Sequence, residues 1–257
     1  MISESFVKVN GRNTSYKFAG SGQPVLLIHG SYRSSFIWHR NLTQLAKNYF
    51  VIAPDRPGYG KTKLSDNREL PDMVEFIYNF TKALNLPKIY LIGESRGGGI
   101  AIQFASKYPD IVQKLCLIAP IGLPPAELPK PVEVGRTKWE WFVERSFGNR
   151  EIVKDEVLRK AIAEDMEIAA AYEVLRLENL KPNYRTEGLL REMVSITCPT
   201  LLVWGRDDPV FPVECTERFN HIMPTIKKTI IFDHARHLPF FEYPEPFNTA
   251  VADFFSK

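Results

Sequence analysis

Cysteine is scarce in this chain, and no two cysteines have a spacing typical of metal binding or redox chemistry. The sequence of 257 residues contains three cysteines, Cys116, Cys198 and Cys215, with no Cys-x-x-Cys pair. An odd number without paired spacing argues against a disulfide framework and against a thiolate metal site. Cys116 and Cys198 fall in or beside apolar runs, so we expect small core side chains there. We expect no metal and no cofactor.

The chain also lacks long apolar runs and a strong excess of one charge. No stretch approaches the roughly 20 apolar residues that a membrane span needs. Residues 1–5 have neither the basic nor the apolar region of a secretion signal. The formal net charge is only +3, from 33 basic and 30 acidic residues that are mixed along the chain. We therefore expect a cytoplasmic protein that binds neither membrane nor nucleic acid.

Short apolar runs alternate with helical patterns along most of the chain. Two opening runs flank Asn10 and Gly11, and this dipeptide is typical of a tight hairpin turn. Six later runs have the length and composition of buried parallel strands: residues 25–28, 50–53, 89–92, 115–119, 201–204 and 229–232. The alternation predicts an α/β fold with a doubly wound, mostly parallel sheet. Ligands of such sheets bind at the carboxyl ends of the strands.

Residues 121–195 interrupt this alternation, because they contain no run with the character of a strand. Prolines open the segment, and two helical patterns follow at about residues 137–147 and 150–180. The sequence therefore predicts a helical cap inserted between two core segments, residues 1–120 and 196–257. Trp139 and Phe142 give the cap apolar side chains that either pack against the core or form walls of a substrate pocket.

The most informative motif is Gly-Glu-Ser-Arg-Gly at residues 93–97. It follows the apolar run 89–92 and precedes a helical pattern at residues 97–108. When a Gly-x-Ser-x-Gly segment connects a strand to a helix, its serine lies on a very tight turn. Only glycine is tolerated at the neighbouring positions of such a turn. The motif alone is common, but in this context it predicts that Ser95 is a nucleophile.

A serine hydroxyl is a poor nucleophile at neutral pH, so Ser95 needs a base that is itself held in place. Of the five histidines, His234 and His237 follow the last predicted strand. Asp207 and Asp208 follow the strand before it. The chain order of serine, then acid, then histidine is the order that accompanies this type of turn.

From about residue 6 to residue 255, the sequence resembles the α/β-hydrolase superfamily, in particular its small capped serine hydrolases. The resemblance implies His237 as the catalytic base, because residues 237–247 are similar to the segment that follows this histidine in small hydrolases. It implies Asp208 as the acid, since Gly205 and Pro212 flank it as in the family pattern.

The tetrahedral intermediate of such a hydrolase needs two donors that are aimed in advance. We expect these donors to be the backbone N–H groups of Ser31 and Arg96. Trp139, Phe142 and Leu238 are the candidate residues of the substrate pocket.

We expect a carboxylesterase that cleaves small to medium esters through an acyl-enzyme on Ser95, with a small-molecule ester as its partner. Three alternatives stay open because fold and triad do not choose among them. These are a carbon–carbon bond hydrolase of the meta-cleavage type, a haloperoxidase-like perhydrolase and a non-enzymatic sensor of small ligands. Leu238 stands where the carbon–carbon group usually carries tryptophan. A serine nucleophile, in place of aspartate, argues against dehalogenase and epoxide hydrolase chemistry.

The residues on either side of Ser95 depart from the commonest form of the turn. Arg96 follows the serine where many relatives have an apolar residue, and Glu94 precedes it. An interaction of Glu94 with Arg96 or Arg33 is one interpretation of this pair. A preference of Arg33 and Arg96 for an anionic substrate is the other.

Overall fold

The structure, a computed structural model, describes residues 1–64, 70–124, 138–178 and 188–257. Its centre is an eight-stranded sheet with the strand order β1-β2-β4-β3-β5-β6-β7-β8. The strands are β1 Ser3–Val9, β2 Arg12–Ala19, β3 Pro24–Ile28, β4 Phe50–Pro54, β5 Ile89–Glu94, β6 Val112–Ile118, β7 Thr200–Gly205 and β8 Ile226–Phe232. The predicted α/β fold with a mostly parallel sheet is confirmed.

Only β2 runs against the direction of the other strands of the sheet. β1 and β2 form an antiparallel hairpin, and β2 continues antiparallel to β4. Asn10 and Gly11 at its turn have φ values of 49° and 78°, the backbone conformation that favours Asn-Gly in two-residue hairpins. All other pairs, from β4–β3 to β7–β8, are parallel. Their carboxyl ends therefore meet at one edge of the sheet.

Both faces of the sheet are covered by helices, which explains why the strands are apolar at successive positions. Leu26 packs into one core layer and the next residue, Leu27, into the opposite layer. The helices between and after the strands of this core are α1 His39–Leu45, α2 Met73–Ala83, α3 Arg96–Lys107, α7 Cys215–Ile222, α8 Pro239–Glu242 and α9 Pro244–Ser256. No helix in the described ranges is both long and apolar enough to cross a membrane.

The described residues between β6 and β7, where the cap is predicted, include three α-helices. They are α4 Lys138–Ser146, α5 Glu156–Glu178 and α6 Leu190–Ser195, and we call them the insertion. A short 3-10 helix, Arg150–Lys154, joins α4 to α5. The outer ends of the two predicted helices, residues 137 and 179–180, lie outside the described residues. The division of the chain at residues 121 and 195 stays a prediction.

Asp165 ties α5 of the insertion to the loop that follows β3. Its Oδ2 accepts hydrogen bonds from the Ser34 N–H at 3.0 Å and from the Ser34 hydroxyl at 2.7 Å. Asp55, at the end of β4, accepts the N–H of the next residue, Ser35, at 2.8 Å. Burial raises the pKa of Asp165 to about 6, and the negative charge of Asp55 adds to this rise despite the opposing hydrogen bonds from Ser34.

We predict that Asp165→Asn raises the melting temperature relative to wild type more at pH 7.5 than at pH 4. The pKa of Asp165 is higher in the folded than in the unfolded protein, so the wild type loses stability as the pH rises from about 4 to 6. An asparagine keeps an acceptor for Ser34 without that loss. Thermal melts should differ by a few degrees, since about 1 kcal/mol corresponds to roughly 2–4 °C at this chain length.

The control for this comparison is Glu167→Gln, an exposed carboxylate on the same helix. We expect its melting temperature to follow that of the wild type across the same pH range. The prediction would be contradicted if Asp165→Asn raised the melting temperature by the same amount at pH 7.5 and at pH 4.

Candidate active site

Ser95 lies on a strained turn between β5 and α3. Its φ of 52° and ψ of −117° are rare for a residue with a side chain. Its N–H donates to the Ile118 carbonyl of β6 at 2.9 Å. A Cβ atom at Gly97 would lie only 2.2 Å from the carbonyl oxygen of Ile28, so a glycine is required there. The structure thus has the strand, turn and helix order expected at residues 93–97.

His237 and Asp208 form a buried hydrogen-bonded pair. The His237 Nδ1 and Asp208 Oδ2 atoms are 2.7 Å apart. The other oxygen of Asp208, Oδ1, accepts the backbone N–H groups of Val210 at 2.7 Å and Phe211 at 3.1 Å. These bonds fix the carboxylate, and the carboxylate fixes the imidazole ring with Nε2 on the opposite side.

The neighbouring candidates do not share this environment. Asp207 and His234 are both exposed, whereas Asp208 and His237 are buried. Of the two acids and the two histidines that the sequence leaves open, the structure pairs the two that the resemblance implies. Their catalytic roles stay predictions.

One cavity of about 230 Å³ brings together the remaining candidate residues. Ser95 and His237 both line it, and so do Ser31 and Arg96, whose N–H groups are the predicted oxyanion donors. Asp208 lies behind His237. The cavity is at the carboxyl ends of β3 and β5, the edge of the sheet where ligands of such folds bind. This arrangement can place a carbonyl group within reach of a nucleophile, a base and backbone donors.

The described walls of the cavity include one of the three candidate pocket residues. Phe142 of α4 lines it as expected, but Trp139 and Leu238 are not among the described residues that do. Trp139 lies one turn earlier on α4, where its ring stacks near Phe142 and beneath the Arg159 guanidinium. Leu238 is fully buried and packs into the core layer formed with α1, α8 and α9.

The described residues that line the same cavity include three arginines, Arg33, Arg96 and Arg145. Arg33 is paired with the buried Glu94, with Nη2 and Oε1 3.4 Å apart. The same Glu94 Oε1 lies 3.7 Å from His237 Nε2. The sequence suggested a partner for Glu94, and the structure identifies Arg33 as one.

Arg145 is the cationic residue that sequence reasoning missed. Its guanidinium lies 4.7 Å from the centre of the Trp141 ring. Burial lowers the pKa of Arg145 from its usual value, against the opposing effect of the Asp208 charge. In the described part of the chain, no carboxylate lies within ion-pair distance of this guanidinium. Arg145 therefore presents a partly desolvated positive charge to the cavity.

Glu242 joins the insertion to the loop that carries His237. Its Oε2 accepts the N–H groups of Gly148 at 2.7 Å and Asn149 at 2.9 Å, and its Oε1 accepts the Arg236 N–H at 2.7 Å. The His237 N–H also donates to the Arg145 carbonyl at 3.4 Å. We call α4 and the residues that follow it, up to residue 149, the roof of the cavity, because α4 lines the cavity. The roof and the candidate base are consequently fixed to each other.

Comparison with known proteins places this geometry among hydrolases. A family model described as the alpha/beta hydrolase fold matches residues 23–164. The chain is 30% identical to 2-hydroxy-6-oxo-6-(2'-aminophenyl)hexa-2,4-dienoic acid hydrolase of Metapseudomonas resinovorans, over 99% of this chain and 91% of that protein. It is 27% identical to (E)-2-((N-methylformamido)methylene)succinate hydrolase of Acinetobacter baylyi, over 98% and 97% of the two chains.

A solved structure of a hydrolase is also similar to this chain. The meta-cleavage product hydrolase from Pseudomonas fluorescens superposes with a TM-score of 0.84 at 26% identity, over 98% of this chain and 97% of that one. The match extends over nearly the whole chain, so it includes the insertion as well as the sheet.

We predict that Asp208→Asn lowers kcat by roughly 10³- to 10⁴-fold, the scale of the corresponding change in a serine protease. An amide cannot stabilise an imidazolium as the carboxylate does, and it favours the wrong tautomer of His237. Steady-state kinetics, normalised to the number of serines titrated by a fluorophosphonate, would measure the loss. The matched control is Asp207→Asn, which we expect to stay within about twofold of wild type. A large loss in Asp207→Asn with none in Asp208→Asn would assign the acid to the other residue.

Proposed function

Because this chain belongs to the α/β-hydrolase fold family, we propose that it hydrolyses a carbon–carbon bond beside a carbonyl group in a small acidic substrate of the meta-cleavage product type. The observation that carries the proposal is the cavity that holds Ser95 and His237 together with the Arg145 guanidinium. The names of the relatives support it, since one acts on a dienoic acid and another on a succinate. The carboxylesterase function expected from the sequence becomes the second candidate.

In the proposed reaction, the Ser95 hydroxyl attacks the carbonyl carbon while His237 Nε2 takes its proton. The oxyanion that forms accepts hydrogen bonds from the N–H groups of Ser31 and Arg96. When the carbon–carbon bond breaks, its electron pair leaves with the departing carbon, which takes the proton from His237. Water then attacks the acyl-Ser95 ester with His237 again as base, which releases a carboxylic acid and restores the serine.

The departing carbon is the difficult part of this reaction, because a carbanion leaves less readily than an alkoxide. In the 2-oxo tautomer of a 2-hydroxy-6-oxo-dienoate, the departing carbon is saturated and bonded to an enone, so the released electron pair is delocalised over the enone as a dienolate. A cation near the far end of such a substrate stabilises the same charge. Arg145 is suited to this position because the charge of Arg33 is offset by Glu94.

Leu238 is the observation that favours ester cleavage, since carbon–carbon hydrolases usually carry tryptophan at this position. An ester releases an alkoxide and needs no delocalisation of charge, so an apolar residue beside His237 suffices. The cavity of about 230 Å³ suits small to medium acyl groups in either reaction.

We predict that Ser95 is the site of covalent labelling and that turnover depends on it. Mass spectrometry after treatment with a fluorophosphonate should place the adduct on Ser95. The wild type should hydrolyse 2-hydroxy-6-oxo-6-phenylhexa-2,4-dienoate with a higher kcat/KM than p-nitrophenyl acetate, and Ser95→Ala should reduce both to the solvent background. A clear preference for the ester would select the second candidate. Labelling of another serine, or no turnover of any substrate, would contradict an enzyme acting through Ser95.

We predict that Arg145→Gln lowers kcat/KM for the dienoate by about 10- to 100-fold, because a charge-assisted hydrogen bond contributes roughly 1.5–3 kcal/mol. The kcat/KM of the same variant for p-nitrophenyl acetate should stay within about threefold of the wild-type value, since that ester carries no carboxylate. Arg159→Gln is the matched control, as Arg159 lies over the Trp139 ring and outside the cavity. Equal losses for both substrates in Arg145→Gln would contradict a carboxylate-binding role.

A further inference from the structure

Buried side chains form hydrogen bonds with both the N–H and the carbonyl of Gly30. The Gly30 N–H donates to Glu94 Oε2 at 2.8 Å. The Gly30 carbonyl accepts one hydrogen bond from Arg56 Nη2 at 2.7 Å and a second from His29 Nδ1 at 2.9 Å. Glu94, Arg56 and His29 are all completely buried.

The hydrogen bonds of His29 define its tautomer. Its Nε2 accepts the backbone N–H of Arg56 at 3.2 Å, which leaves the proton on Nδ1, where it is donated to the Gly30 carbonyl. Burial, assisted by the charge of Arg56, lowers the pKa of His29 well below its usual value. The ring is therefore a neutral donor, and Arg56 supplies the positive charge at this carbonyl.

The carbonyl of Gly30 and the N–H of Ser31 belong to the same peptide group. Because a trans peptide is planar, these two groups point in opposite directions, and fixing one of them aims the other. Ser31 lines the cavity that contains Ser95, and its N–H meets no acceptor among the described residues. A cationic donor on the carbonyl also polarises the peptide group and makes the N–H a stronger donor.

We propose that Arg56 is a positioning residue of the oxyanion hole, which aims and polarises the Ser31 N–H through the Gly30 peptide group. The inference rests on the proposed function in one respect, that Ser95 attack generates an oxyanion in this cavity. It assigns a function to a residue that does not touch the substrate.

The surroundings of Arg56 make a purely structural role a poor explanation. Its guanidinium lies 4.2 Å from the centre of the Tyr59 ring, and the Tyr59 hydroxyl donates to Glu173 of α5. Its Nε and Nη1 atoms meet no hydrogen-bond partner in the described part of the chain. A buried charge with unpaired donors is unfavourable for stability, and an apolar side chain would fill the same space without that penalty. The contact with the Gly30 carbonyl is what an apolar residue could not provide.

Gly30 itself shows how closely the charged groups approach the backbone. A Cβ atom at this position would lie 2.5 Å from Glu94 Oε2 and 3.0 Å from Arg33 Nη1. Glycine is therefore needed for Glu94 to reach the N–H on one side while Arg56 holds the carbonyl on the other.

The test compares Arg56→Gln with wild type, with kcat expressed per serine titrated by a fluorophosphonate. Glutamine is too short to reach the Gly30 carbonyl, so the donor is removed. We expect kcat per titrated serine to fall at least tenfold, towards the roughly 10²- to 10³-fold loss seen when an oxyanion donor is deleted. KM should stay within about threefold, because ground-state binding does not use the oxyanion hole.

Two further variants make the result unambiguous. Arg56→Lys keeps the charge on a side chain of shorter reach, so we expect a loss of kcat between wild type and Arg56→Gln, and this variant decides if Arg56→Gln does not fold. Thr200→Val is the control for lost stability, since it removes a buried hydrogen bond to the Cys198 carbonyl at the far end of β7. We expect it to lower the melting temperature without changing kcat per titrated serine.

The inference would be overturned if a folded Arg56 variant had the same kcat per titrated serine as wild type. It would also be overturned if the variant lost activity only because fewer of its serines can be titrated. Ser95→Ala separates this failure from failure of the proposed function. Turnover that persists in Ser95→Ala would refute the proposed function itself. Turnover that requires Ser95 but is indifferent to Arg56 would refute only the positioning role.

Discussion

The crowded turn at Ser95 is the constraint on which the rest of the site depends. A residue with φ of 52° between β5 and α3 is held only because its backbone is bonded to β6 and because Gly97 lets the helix approach the end of β3. That approach brings the loop after β3, with Gly30 and Ser31, beside the serine. The loops after β7 and β8 reach the same edge because all these strands are parallel.

Charged side chains around this turn are arranged in contact with backbone groups or with each other. Asp208 binds the His237 ring and two N–H groups, while Glu94 binds the Gly30 N–H and pairs with Arg33. Buried charges are stable only when they are paired or hydrogen-bonded, so each of these side chains limits where its neighbours can lie. Arg145 departs from this pattern and faces the cavity with an aromatic ring as its neighbour.

The sequence was sufficient for the features that depend on local order along the chain. The sheet, the hairpin at Asn10 and Gly11, the turn at Ser95 and the pairing of loops after β7 and β8 all follow from periodicity, glycine and motif spacing. The choice of Asp208 and His237 over their neighbours needed the resemblance to a known family. The ester chemistry expected first has less support from the relatives than the carbon–carbon alternative.

The sequence could not identify the residues that act through contacts between distant segments. Arg145, Asp165 and Glu242 reach the site only through the packing of the insertion, across separations of 94 residues for Glu242 with Gly148 and 131 residues for Asp165 with Ser34. No periodic pattern encodes such a contact. The same reason explains why Trp139 and Leu238 are not among the described residues that line the cavity. Hydrophobicity predicts that a side chain is buried but does not predict which surface it packs against.

The contacts of Glu242 also bear on how this fold could acquire new substrates. Its carboxylate binds Gly148 and Asn149 of the roof and Arg236 of the histidine loop at the same time. A foreign segment exchanged between the ends of β6 and β7 would have to present two backbone N–H groups to Glu242 at these same positions. Recombination between such enzymes therefore has a natural unit that is larger than the roof, because residues 236–242 have to be inherited together with α4.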